Sequence, residues 1–228
     1  TTHQADFLIV APGIDFKWDK LAENEAYLEN SVLHAWQHPG AETALWQQLE
    51  SMQDGDNVVI SIPPAPYRFP QGPYRRATAI AEYIEKHKSK SKLLLLDSNN
   101  EFPSMTAYRD HWKRRFADGR LQWVSAANGG IIDRVDFNNN TVVVAGETIT
   151  AGVLNYIPPQ QAGIIARTSQ LNIDSDWCQV SQETLRSIYF EGVYVIGDAN
   201  DADNFDKTAA VARRHAIQCA QDIKAIVT

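Results

Sequence analysis

At 228 residues, with 44% hydrophobic and 10% aromatic side chains, the chain is long enough to bury the core of one large or two small domains. Its formal charge of -7 and pI near 5.3 argue against nucleic acid or an anionic membrane surface as the main partner, since both reward positive charge. No stretch approaches the ~18 apolar residues of a membrane helix, so no span is expected. The opening Thr1-Thr2-His3, with neither Met nor a charged-then-apolar leader, implies processing or truncation.

Residues 7–10 (Phe-Leu-Ile-Val) form a continuous apolar run ending in Ala11, Pro12 and Gly13, the pattern of a strand buried on both faces followed by a tight turn. An acidic, poorly periodic segment covers residues 15–30. A helix is predicted over 42–52, stopped by Asp54-Gly55-Asp56, and a buried strand over 58–62. Pro63, Pro64, Pro66, Pro70 and Pro73 follow. Then Ala77, Ile80, Ala81 and Ile84 recur at i, i+3, i+4, i+7, the stripe of an amphipathic helix, with Pro73 where a helix start accepts proline. The basic run 86–92 reads as a solvated helix end, with partner docking as the sharper alternative.

A strand at 93–96 ends in Asp97 and completes a strand-helix-strand unit with an expected right-handed crossover. Met105, Tyr108, Trp112 and Phe116 mark the apolar face of the next helix, opposite Arg109, Lys113, Arg114 and Arg115. A strand near 121–125 follows. Residues 131–137 and 141–144 alternate around Asn138-Asn139-Asn140 and predict a β-meander; another strand covers 153–157 before Pro158-Pro159. Finally, residues 193–196 (Val-Tyr-Val-Ile) run into Gly197, Asp198 and Ala199. A long helix is expected from about 207, with Ala209, Ala212, Ala216, Cys219, Ala220, Ile223 and Ile226 at helical spacing.

The two apolar strands ending at Ala11-Pro12-Gly13 and Gly197-Asp198-Ala199 carry the most chemistry. A Gly-Asp turn opening a helix sets a carboxylate beside backbone N–H groups, suited to a pyrophosphate or a flavin carbonyl. The competing reading is an ordinary turn with Asp198 capping the helix. Cys178 and Cys219 fit no CxxC pattern and read as two buried thiols or one bridge. His34 and His38 stand at i, i+4 without an evident third ligand. Asp198, Asp201, Asp203 and Asp206 lack the calcium-loop glycine, so no metal is expected, and Asp206 is read as a helix cap.

The segments F-L-I-V-A-P-G-I-D-F-K-W, G-P-Y-R-R-A-T-A-I-A-E-Y, V-L-N-Y-I-P-P-Q-Q-A-G and G-V-Y-V-I-G-D-A, in this order and at these intervals, resemble the flavoprotein subunit of flavocytochrome c sulfide dehydrogenase. That family lies in the FAD-dependent pyridine nucleotide-disulfide oxidoreductase superfamily. The resemblance covers nearly all of this chain and the middle of the family's chains, whose opening GxGxxG turn and closing domain are not found here. It implies an α/β, FAD/NAD(P)-binding disulfide-reductase-like fold, with parallel sheets, helices and a β-meander in a three-layer ββα arrangement. Residues 1–39 and 151–228 would be parts of an FAD-binding domain, and 40–150 an inserted NAD-binding-like domain.

By the same resemblance, the expected function is FAD-dependent electron transfer from a small-molecule donor to a cytochrome c subunit in the periplasm. Ala11, Pro12, Gly13, Gly197, Asp198 and Ala199 would bind FAD, with Asp198 on its ribityl chain. The family's two redox cysteines fall on Phe69 and Asn200, and a nearby carboxylate on Arg75, so no catalytic residue is assigned and cysteine-based sulfide oxidation is not expected. Cys178 and Cys219 match structural positions. A non-catalytic or fragmentary scaffold of the same family is the alternative. An NAD-dependent dehydrogenase is disfavoured by the five prolines, which remove N–H donors a phosphate turn needs. Asp97, at the place of a ribose acceptor, reads instead as a surface strand end.

Overall fold

The computed structural model describes residues 4–21, 32–36, 40–202 and 206–228. Along the chain run β1 (Leu8–Val10), β2 (Ile14–Phe16), α1 (Ala41–Ser51), β3 (Asn57–Ile62), α2 (Gly72–His87), β4 (Lys92–Asp97), α3 (Met105–Arg115) and β5 (Leu121–Val124). Then come β6 (Ile132–Asp136), β7 (Thr141–Val144), β8 (Glu147–Thr150), β9 (Val153–Tyr156), β10 (Gln160–Ala162), α4 (Ile164–Thr168), β11 (Val193–Val195) and α5 (Ala209–Val227). They divide into two compact units. The first is Thr1–Lys17, Pro66–Pro70 and Gln160–Thr228; the second is Trp18–Ala65 and Gln71–Pro159.

In the second unit a parallel sheet has the order β5-β4-β3-β9. Val58, Val59, Ile60, Leu93, Leu95 and Val153 are fully buried, as a parallel sheet covered on both faces requires. The predicted stripe of α2, Ala77, Ile80, Ala81 and Ile84, is buried to within 1%; each large apolar side chain so buried contributes about 1.5–3 kcal/mol. Lys88, in the basic run, donates to the carbonyls of Glu50 and Met52 at 2.9 and 2.7 Å, satisfying the frayed end of α1. The antiparallel β6-β7-β8 meander stands between β5 and β9 in sequence.

Three boundaries differ from the sequence reading, the first because the second unit begins at Trp18 and not at residue 40. Because β9 pairs with β3 from Val58↔Val153 to Ser61↔Tyr156, residues 151–159 group with the second unit rather than with the C-terminal segment. Residues 66–70, inside the stretch read as the inserted domain, group with the first unit.

In the first unit β1 and β11 pair in parallel, and β2 pairs antiparallel with β10. Here β1 departs from expectation: Leu8 and Ile9 are 55% and 50% exposed. Its one strand partner among the described residues is β11, so no second neighbour or covering layer shields its apolar side chains. The buried face of α5 is also rotated from the predicted stripe. It is Val211, His215 and Cys219 that are buried, whereas Ala216 and Ala220 face solvent. A polar His takes the core position because its ring has a partner there, as shown below. Cys178 and Cys219 are buried free thiols.

Candidate functional site

The parallel register of β1 and β11, Leu8↔Val193 to Val10↔Val195, brings the carboxyl ends of the two strands side by side, and the Ile196 N–H donates to Val10 O at 3.0 Å. Ala11-Pro12-Gly13 and Gly197-Asp198-Ala199 therefore leave the same end of one sheet, the place where open α/β sheets hold ligands. Ala11 and Pro12 line an apolar cavity of about 460 Å3 with Leu8, Val10, Ile165 and Phe190. The backbone is closely fitted there. A Cβ on Gly163 would lie 2.5 Å from Pro12 O, and Gly197 takes φ 75°, a conformation side chains resist.

Gly197–Ala199 form a 3-10 turn, and α5 begins ten residues after Ala199, at Ala209. The expectation that the Gly-Asp turn opens the helix is thus corrected. The cap of α5 is Thr208, whose hydroxyl accepts from Val211 N–H, and neither Asp198 nor Asp206 fills that position. Nor is every turn amide available to a ligand: Gly197 N–H donates to His215 Nδ1 at 3.1 Å.

Three residues that the sequence reading passed over hold this turn. Lys207, 2% exposed, donates from Nζ to Asp198 O and Asn200 O, both at 2.8 Å, and its ammonium lies 3.6 Å from the centre of the Trp177 ring. Burial pushes its pKa down to about 7, opposed by Asp198 and Asp201. Its own carbonyl accepts from Phe69 N–H at 2.8 Å, so one residue ties the 66–70 segment to the turn. Arg68 Nε lies 3.4 Å from Asp198 Oδ2. Burial raises the Asp198 pKa, with Arg68 and Lys207 acting the other way. His215 was hidden because a helical His between Arg214 and Ala216 gives no sign of the backbone N–H it meets. A lone Lys beside Asp206 gives none either.

Phe69 and Asn200, the positions at which the resemblance implies redox cysteines, are both in the first unit. Phe69 is 43% exposed at φ 56°, while Asn200 is 1% exposed. Asn200 is structural: Nδ2 donates to Val195 O at 2.8 Å and Oδ1 accepts from Ala202 N–H at 3.1 Å. Arg75 lies in the second unit, on the first turn of α2, where it lines a groove with Glu82, Tyr108 and His111.

Asp97 is not the surface strand end expected from the sequence; it is fully buried. Its Oδ2 accepts from Tyr74 Oη at 2.8 Å and Trp123 Nε1 at 2.9 Å, and its Oδ1 from Asn99 N–H at 2.9 Å and Asn99 Nδ2 at 2.8 Å. Asn99 in turn bonds Pro63 O and Ala65 N–H. Phe102 stacks on Tyr74 with ring centres 3.6 Å apart. The carboxyl end of β4 is therefore filled by the protein's own side chains.

Of the weaker metal candidates, His34 Nδ1 accepts from Trp36 N–H, while His38 and Asp203 lie outside the described residues. Among the described residues no group of three His, Cys, Asp or Glu side chains could hold a metal, and no helix is long and apolar enough to cross a membrane.

A parallel α/β sheet with a second sheet-and-turn unit defines the class of FAD/NAD(P)-binding disulfide-oxidoreductase-like folds. Solved structures agree. Thioredoxin reductase of T. acidophilum superposes with a TM-score of 0.65 at 15% identity, over 99% of this chain and 67% of that one. The NAD-dependent persulfide reductase of A. fulgidus gives 0.60 at 14%, over 96% and 39%. The water-forming NADH oxidase of Lactobacillus brevis gives 0.62 at 11%, over 97% and 47%. At such identities these likenesses establish the fold alone, and the chain spans half or less of several of the proteins it matches. Residues 42–158 match the central region of the sulfide dehydrogenase (flavocytochrome c) flavoprotein chain, and the protein belongs to that family of flavoprotein oxidoreductases.

Proposed function

We propose that the complete protein is an FAD-dependent oxidoreductase of the periplasm, passing electrons from a small donor to a cytochrome c subunit without a redox cysteine pair. The observation that carries this reading is the shared carboxyl end of β1 and β11, where Ala11, Pro12 and Gly13 meet Gly197, Asp198 and Ala199. These residues fit a flavin. The apolar wall of Leu8, Val10 and Pro12 suits a planar ring, and the Asp198 carboxylate can accept from ribityl hydroxyls. A bound flavin supplies the electron-accepting chemistry. Lys207 and His215 keep the turn in shape.

The test is the visible spectrum of the purified full gene product. A flavin band near ~450 nm is expected, whereas a colourless protein that takes up no FAD would mean a scaffold. The 228-residue chain alone is expected to hold FAD weakly, since two partial contacts do not replace a glycine-rich pyrophosphate turn. A tight stoichiometric complex surviving dialysis of that chain would contradict this.

Nicotinamide nucleotides are expected not to bind the second unit. The four donors on Asp97 leave it no capacity for a ribose hydroxyl, and the Tyr74–Phe102 stack occupies the crevice beyond β3 and β4. Calorimetric titration with NADH should show no heat of binding. Saturable micromolar binding would show that these side chains move aside.

A further inference from the structure

Gln160 opens β10 and is 4% exposed. Its Oε1 accepts from Arg68 N–H at 2.7 Å. That contact fixes the orientation of the amide, because turned over it would set an NH2 against an N–H, two donors face to face. With the oxygen committed, Nε2 is buried with no acceptor among the described residues. A buried donor without an acceptor is destabilising and rare. The other two such atoms are unlike it: Arg120 Nε and Arg167 Nε belong to guanidinium groups whose Nη2 atoms bond Asp118 and Asp15.

The place of the amide is as telling as its state. Gln160 stands opposite Phe16 and Ala162 opposite Ile14 on β2, and Gly163 N–H donates to Gly13 O at 3.0 Å, so β10 runs along the segment that leaves β1. The same strand packs against the Gly197–Ala199 turn. Arg68, whose amide Gln160 holds, sets its side chain beside Asp198. The strand that carries the unpaired donor thus runs beside the two segments expected to meet the cofactor.

We propose that Gln160 is a ligand-binding residue whose carboxamide N–H donates to an electron-rich carbonyl oxygen or ring nitrogen of the flavin. The assignment rests on the flavin reading above. Two substitutions in the full gene product separate the donor from the Arg68 contact. Gln160→Glu keeps an oxygen for Arg68 N–H and replaces the donor by an anionic oxygen; Gln160→Met removes both. Titration with FAD is expected to show at least about a tenfold loss of affinity for Gln160→Glu, as for a charge set against an acceptor, with a shifted absorption band and a lower flavin midpoint potential. Gln160→Met should lose no more than Gln160→Glu.

If Gln160 mattered only through Arg68, the order would reverse, with Met damaged and Glu spared, and the proposal would be overturned. Unchanged affinity, spectrum and potential in Gln160→Glu would overturn it as well and leave the flavin reading intact. A wild-type gene product that takes up no FAD removes both.

Discussion

Replacing Asp97 by alanine is expected to destabilise the second unit by about 3–5 kcal/mol, the range for removing one partner from a fully buried charged network. Four donors lose their acceptor at once: Tyr74 Oη, Trp123 Nε1, Asn99 N–H and Asn99 Nδ2. Tyr74 is wholly buried, so its hydroxyl has no water to turn to. The damage spreads, because Asn99 also holds Pro63 O and Ala65 N–H at the start of the proline-rich connection. Asp97→Asn should fall between, at about 2 kcal/mol, since an amide keeps one accepting oxygen but turns its NH2 toward two donors. Urea unfolding followed by the fluorescence of Trp112 and Trp123 measures both. A loss below about 1 kcal/mol for Asp97→Ala would mean that the four donors find other partners, and that this carboxylate is not what closes the crevice.

That Asp97 was read as a surface residue shows where a sequence stops being informative. Elements defined by long apolar periodicities were legible. The runs at 58–62 and 93–96 became β3 and β4, and the Ala77-Ile80-Ala81-Ile84 stripe became the buried face of α2. Their signal is repeated, and burial of each member reinforces the next. Three-residue strands such as β2 and β10 have no room for a period, so their pairing could not be read. Buried polar residues were invisible for another reason. The Gln160 carboxamide oxygen meets an amide 92 positions away, and the His215 ring one 18 positions away; neither partner leaves a mark on the local pattern.

The turns proposed to meet the flavin are singled out in the sequence by the order of their motifs, and β1–β11 pairing brings them together. The groups that hold them, Lys207, His215 and Arg68, come from the fold. Polar side chains default to solvent in any pattern-based reading, and a site is where that default fails.

The native protein is expected to be almost inert to thiol reagents, with Cys178 reacting about a thousandfold more slowly at pH 8 than an ordinary exposed thiol. Burial pushes the Cys178 thiol up to about 12, with nearby Lys207 opposing the shift and Asp201 adding to it, and burial raises Cys219 too. Only the thiolate attacks. A thiol of pKa near ~8.5 is roughly a quarter ionised at pH 8, against about one part in ten thousand at 12. Reactivity should therefore rise with pH well above the usual range, and unfolding in urea should release both cysteines at once. Disulfide-exchange reagents at pH 8, with and without urea, make the measurement.

The consequence reaches the chemistry. With Cys178 and Cys219 held as neutral buried thiols, and Phe69 and Asn200 where the resemblance implies redox cysteines, no sulfur in the described residues is poised to form a persulfide. The full gene product should show no cysteine-dependent sulfide oxidation with cytochrome c, and Cys178→Ser and Cys219→Ser should leave unchanged the turnover of any donor that it is found to oxidise. Rapid labelling of the folded protein, or sulfide turnover abolished by either serine, would place a reactive thiol where the structure has a buried one.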